Sequence, residues 1–230
     1  MKYQKILIKF SGEAFGQKHQ AVNLALVQKI VDEIKDLRKM GFKVAVVCGG
    51  GNLTRGREVA KNKQLATHIL GMQGTLRNVL PLEKLLKKAG VPVQVYTSFS
   101  VKSSYPIFSL NKVLADFAKN KVLIFAGGTG QPFFTTDTAA VLRALEIGAQ
   151  IYFKATKVNG VYSADPVTNP RAKQYAKISY QQVIAKDLAV IDKMAVCLAW
   201  DNQLPIRVIK WEPGNIVKAA SGKNLGTLIG

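Results

Sequence analysis

A chain of 230 residues with 48% hydrophobic and 20% charged content has enough apolar material for one substantial domain, or two tightly fused lobes, and is not of the disordered type. Its apolar runs are of strand length, so none is expected to span a bilayer, and the N-terminus lacks the pattern of a secretory leader. The net charge of +19, from 33 basic and 14 acidic residues, suits a steering field for phosphorylated ligands as well as a nucleic-acid surface, and the absence of long basic blocks weighs against nucleic acid.

In chain order, Tyr3–Phe10 (YQKILIKF) reads as a buried strand ending at Ser11-Gly12. Val27, Ile30, Val31, Ile34 and Leu37 recur at helical spacing, and Gly41 marks the stop. FKVAVVCGGG is a second strand that runs into glycine. A helix is expected over Gln64–Lys88, kinked or divided at Pro81. VPVQVYTS is a third strand, NKVLADFAKN a helix, and KVLIFAGG a fourth strand ending in glycine. TDTAAVLRALEIGA is a helix with Thr136 or Asp137 as its N-cap. QIYFKAT is the next strand, a helix around Asp192–Gln203 leads into the strand LPIRVIKW, and a short GTLIG follows. Near-continuous apolar strands separated by helices predict an α/β fold, a mostly parallel sheet covered on both faces. Cys48 and Cys197 lie far apart, with neither CxxC nor clustered histidines, which points to a reducing, cytoplasmic setting without zinc.

Three strand ends, FSGEAFG, CGGGNLTRG and AGGTGQ, are rich in glycine and fall on the edge where ligands bind in such sheets. Glycine lets the backbone approach an anion and aim N–H groups at it, and a following helix N-terminus adds positive charge. Phosphate is the expected ligand. No GxxxxGK[ST], no GxGxxG in the first strand–helix turn and no HRD or DFG is present. Several phosphate-grade loops without a single-loop signature suggest two phosphorylated groups held face to face. Lys9, inside an apolar strand, is either a lysine whose head reaches solvent at the strand end or a cation aimed at a transferring phosphoryl group. A phosphate acceptor is already ionised near neutral pH, so no general base is needed, and neither His19 nor His68 sits in a catalytic motif.

KILIKFSGEAFG, CGGGNLTRG, AGGTGQPFFTTDTAAVLRALEI, KATKVNGVYSADP and NQLPIRV together resemble the bacterial uridylate (UMP) kinases of the amino acid kinase family, in order and spacing and over essentially the whole chain. The resemblance implies a single three-layer α/β/α domain over 1–230, with the part from about 150 devoted mainly to ATP. It implies transfer of the γ-phosphoryl group of ATP to UMP, magnesium carried with ATP, and a homo-oligomer, hexameric in the family. Lys9, Phe10, Ser11 and Gly12 match the triphosphate segment, Gly51 and Arg55 face the ATP phosphates, and Thr156, Tyr162 and Asp165 match adenosine-binding positions. Gly50, Thr129, Gly130, Gln131, Pro132, Phe133, Phe134, Thr135 and Thr136 are assigned to UMP, with one of the two phenylalanines expected to fill the core. Asp137 and Asp192 match carboxylates that organise lysines or magnesium, with helix capping the competing role, and Lys154 is a candidate second cation.

Three positions depart from the family pattern. His68 stands where an aspartate usually approaches the UMP ribose, Asn159 replaces an aspartate, and Gln131 an asparagine. The loop after Gly16 is short relative to relatives activated by GTP. Two alternatives on the same scaffold stay open here: a different acceptor, or a non-catalytic nucleotide-binding protein. Intact Lys9, Gly12 and Thr135-Thr136-Asp137 favour the enzyme.

Overall fold

The computed structural model describes residues 3–16, 22–52, 64–100, 105–166 and 168–230. Its strands are β1 (Lys5–Phe10), β2 (Lys43–Cys48), β3 (Val93–Thr97), β4 (Val122–Ala126), β5 (Ile151–Thr156), β6 (Lys177–Ile178), β7 (Ile206–Lys210) and β8 (Thr227–Ile229). They form one eight-stranded sheet in the order β3-β4-β2-β1-β5-β7-β8-β6. Every neighbouring pair is parallel except β7 and β8. The helices are α1 (Leu24–Lys39), α2 (Gln64–Lys88), α3 (Leu110–Ala118), α4 (Thr136–Glu146), α5 (Tyr180–Ala185), α6 (Lys193–Asp201) and α7 (Asn215–Ala220).

Alternation along the strands builds two cores. Ile6, Ile8 and Phe10 of β1 pack with α1, α2 and α7 on one face. Leu7 of β1 packs with α3, α4, α5 and α6 on the other. Strands buried on both faces need apolar residues at successive positions, which is why β1 and β2 read as continuous hydrophobic runs. The result is the expected three-layer α/β/α sandwich with a mostly parallel sheet. Among the described residues no helix is long and apolar enough to cross a membrane.

One local expectation is corrected, one is narrowed, and three short elements are new. Helix α2 runs through Pro81 without division. The proline removes one backbone donor, but Val79, Leu82 and Leu86 on either side remain buried and hold the helix against the sheet. The N-cap of α4 is Thr135, whose hydroxyl accepts from the backbone N–H groups of Asp137 and Thr138 at 3.0 and 3.3 Å. Thr136 and Asp137 therefore lie inside the first turn. Helices α5 and α7, six residues each, and the two-residue β6 are too short to show a period in sequence.

Candidate active site

The C-terminal ends of β1, β2, β4 and β5 share one edge of the sheet because these strands are parallel. The alternation that sends Ile8 and Phe10 toward α1 sends Lys9 toward α4. On β5 the same alternation carries Tyr152 and Lys154 to the α4 side, and Lys9 and Lys154 are direct register partners. All three side chains converge on Asp137 in the first turn of α4. Lys9 Nζ lies 3.1 Å from Asp137 Oδ1, and Lys154 Nζ lies 2.5 Å from Oδ2. The Tyr152 hydroxyl donates to Oδ1 at 3.0 Å.

These groups are shielded from water: Lys9 is 6% exposed, Lys154 5% and Asp137 8%. Lys9 thus does not carry its head into solvent; it turns inward to the carboxylate. Burial alone would raise the Asp137 carboxyl, but the Lys154 and Lys9 ammonium groups outweigh it and hold the group well below the usual carboxylate range. Burial lowers Lys154 to about 8; the Asp137 charge opposes that fall and Lys9 adds to it. With both lysines protonated, two positive charges face one negative charge. The more distant Asp192 carboxylate also attracts Lys154, but Asp137 alone bonds both ammonium groups, and two such groups beside the glycine-lined edge suit an anionic ligand.

Asp192 takes the capping role of the two expected for it. It is the N-cap of α6, accepting from Ala195 N–H at 2.9 Å, and it also accepts from the hydroxyls of Thr138, at 2.9 Å, and Thr135. One carboxylate therefore ties the starts of α4 and α6 together and fixes the turn that presents Asp137.

The glycine loops touch one another through backbone. A Cβ on Gly12 would lie 2.5 Å from the N–H nitrogens of Gly51 and Asn52, so no side chain fits between the β1 and β2 loops. Asn52 and Asn78, both fully buried, exchange amide hydrogen bonds at 3.1 and 2.9 Å, and Asn78 also donates to Gly49 O at 2.7 Å. This amide clamp pins the β2 loop to α2. Nothing in the sequence singled it out, because an asparagine inside a helix carries no motif.

After β4 the chain turns through Gly127, Gly128 and Gly130, all at left-handed φ (83°, 61° and 82°), which glycine adopts without strain. Ser98 Oγ donates to Gly128 O at 2.7 Å, and Gly127 N donates to Thr75 Oγ1 at 2.8 Å. Thr129 and Gln131 bond to each other within the turn. Phe133 is 61% exposed and Phe134 40% exposed, so neither fills the core, against the expectation for one of them. The turn ending at the Thr135 cap points both rings outward. Phe133 meets His68 of α2 at 5.1 Å between ring centroids, bringing His68 to this loop.

Thr156, Tyr162 and Asp165 line a cleft of about 470 Å³, with the turn from Gly160 to Pro166 on one side and Lys186–Val190, between α5 and α6, on the other. The sequence reading missed that second wall; it follows a helix too short to see. Ser11 and Thr156 also line a neighbouring hollow of about 250 Å³, together with Trp211. Trp211 packs edge-on against Phe10 at 4.8 Å, so Phe10 supports the loop from the core side. Lys9, Ser11, Gly12, Gly50, Gly51, Asp137 and Lys154 gather at one edge, and the turn from Gly127 to Thr135 and the cleft residues flank it. Arg55 and the loop after Gly16 lie outside the described residues.

The amino acid kinase family pattern matches residues 4–210. A uridylate kinase of Legionella pneumophila is 40% identical over 235 aligned positions, covering 100% of this chain and 95% of that protein. The crystal structure of UMP kinase from Bacillus anthracis superposes with a TM-score of 0.93 at 33% identity, covering 100% of this chain and 96% of the other. UMP kinase from Ureaplasma parvum superposes with a TM-score of 0.91 at 30% identity, covering 100% and 99%. A paired-lysine edge on this sheet order, matched at full length in sequence and in structure, makes the chain a member of the amino acid kinase family, in its uridylate kinase branch.

Proposed function

We propose that this chain transfers the γ-phosphoryl group of ATP to UMP, giving ADP and UDP, in pyrimidine nucleotide biosynthesis. The observation that carries the reading is the buried Lys9–Asp137–Lys154 cluster at the glycine-lined edge between the β4 loop and the Thr156–Asp165 cleft. The names of the full-length relatives supply the acceptor.

Phosphoryl transfer asks the protein mainly for position and charge neutralisation. The acceptor is a phosphate, already ionised near neutral pH, so the absence of a general base from the cluster costs the reaction nothing. Lys9 is assigned to the transferring group and Lys154 to its second side; below about pH 8 Lys154 keeps its charge. Asp137 is assigned the task of keeping two ammonium groups together where they would otherwise repel. Phe10, Ser11, Gly12 and Gly51, with Arg55, are assigned to the ATP phosphates, and Thr156, Tyr162 and Asp165 to adenosine. Gly50, His68 and Thr129–Thr136 are assigned to UMP, with Phe133 and Phe134 as an exposed aromatic wall over the base.

Magnesium enters this reading as the ion carried on ATP. Both oxygens of Asp137 are taken by ammonium groups, and among the described residues no three of His, Cys, Asp and Glu form a metal cage, so the donor set does not fit a resident ion. A single catalytic domain, a homohexamer and a cytoplasmic location complete the proposal on the strength of the family resemblance. The test is ADP release in a coupled assay with UMP, CMP, acetylglutamate and carbamate as acceptors. Turnover is expected with UMP; turnover with acetylglutamate or carbamate, and none with UMP, would overturn the assignment.

A further inference from the structure

Asp137 has one donor more than its ion pairs require. Tyr152 is fully buried in the core beneath α4, and its hydroxyl donates to Oδ1, the same oxygen that Lys9 holds. Lys154 holds the other oxygen. We propose that Tyr152 is a positioning residue that allows Lys9 to change partners, leaving Asp137 Oδ1 for an incoming phosphate; the proposal rests on the phosphoryl-transfer reading above.

The reasoning concerns what Lys9 leaves behind. A buried carboxylate oxygen that loses its only donor carries the full cost of an unpaired charged acceptor. With Tyr152 in place, Oδ1 keeps a hydrogen bond when Lys9 departs, so the departure is cheaper. Lys9 already leans the right way: its Nζ is 3.5 Å from Ser11 Oγ, the first residue of the glycine loop. Lys154 is differently placed, because among the described residues no second donor is paired with it on Oδ2. It is the fixed cation and Lys9 the transferable one. Burial, with the Asp137 charge adding to it, pushes the Tyr152 phenol well above its ordinary range, so the hydroxyl stays a donor at any working pH. Tyr152 never needs to touch substrate; it acts through Lys9.

The experiment uses the full chain and four forms: wild type, Tyr152→Phe, Lys9→Met and the double variant. Two quantities are measured on each, kcat for ATP plus UMP and the affinity for inorganic tripolyphosphate by calorimetry. Tyr152→Phe is expected to lower kcat by about 10- to 30-fold, the weight of one hydrogen bond to a charged group, with KM for UMP within twofold. Tripolyphosphate affinity is expected to fall as well. In the Lys9→Met background, where there is no Lys9 left to release, the same substitution is expected to cost several-fold less in both quantities than it does in wild type. An equal loss in both backgrounds, or a Tyr152→Phe protein within twofold of wild type, overturns the proposal. If wild type makes no UDP, the acceptor reading fails, and the tripolyphosphate arm still decides the role of Tyr152. Should Tyr152→Phe not fold, 3-fluorotyrosine placed at 152 keeps the shape and the donor: an affinity for tripolyphosphate equal to or above that of wild type is expected, and a tenfold loss would refute the idea.

Discussion

Lys154 offers a test in which the pH dependence follows from the geometry. Burial on β5 outweighs the attraction of Asp137 and brings its ammonium down to about 8. A lysine lowered in this way is charged below that value and neutral above it. If the charged form is the one that meets ATP, kcat/KM for ATP should be flat up to about pH 7, fall to about half its plateau near pH 8 and to about a tenth at pH 9, and drop about tenfold for each further unit. Bound phosphates add negative charge beside the ammonium and raise its value, so the limb in kcat itself should sit at higher pH than the limb in kcat/KM. The assay is a stopped-time measurement of UDP between pH 6 and 10, with a pre-incubation control for irreversible loss. Lys154→Met should give a low kcat/KM that is flat on the alkaline side. A wild-type profile flat to pH 9.5, or an alkaline limb that survives in Lys154→Met, would refute the assignment of this lysine.

Lys9→Met keeps the stem in the strand and removes the charge, so kcat should fall by about 10²–10³. Its melting temperature should change little, because Asp137 retains Lys154 and Tyr152. Asp137→Asn is the opposite case: it leaves two buried ammonium groups without a counter-charge, and chemical denaturation should report a loss of about 3–5 kcal/mol. The Asp137 carboxyl is held below its ordinary range, so the stability it confers is present above about pH 4 and lost as pH falls below that; the asparagine variant should lack this acid sensitivity. Thr136→Ala should raise KM for UMP by about 5- to 30-fold, a hydrogen bond of about 1–2 kcal/mol, and move KM for ATP far less. Equal effects on both nucleotides would place Thr136 outside the acceptor site.

Much of the sheet could be read from the chain. Fully buried parallel strands leave long apolar runs, and a lysine interrupting one of them at Lys9 is visible without coordinates. What sequence could not reveal is direction: period-two alternation gives a face, but which helix covers that face depends on packing. Only the fold shows that Lys9, Tyr152 and Lys154 all look at α4 and that Asp137 waits there. The capping of α4 was misread by one residue because Thr135, Thr136 and Asp137 are all good caps, and local chemistry does not choose among them. The buried Asn52–Asn78 pair stayed invisible since each amide is satisfied by a residue 26 positions away. The exposed Phe133 and Phe134 were half misjudged, because hydrophobicity alone favours burial and a ring turned outward by a tight turn breaks that rule.

The strand order has a consequence for how the chain is made. β1 is flanked by β2 on one side and by β5 on the other, so its second flank stays open from Phe10 until Ile151 has been synthesised. At about 5–20 residues per second that interval is on the order of 10 seconds on the ribosome. Throughout it, the apolar segment Ile6–Leu7–Ile8 presents unpaired backbone to any other nascent strand, the usual route to edge-to-edge association. Lys5 and Lys9 bracket that segment, and charges on an open strand deter such pairing. The ammonium group that later pairs with Asp137 thus first guards the unfinished sheet. Lys9→Met should therefore lower the soluble yield from translation even where the purified variant melts like the wild type.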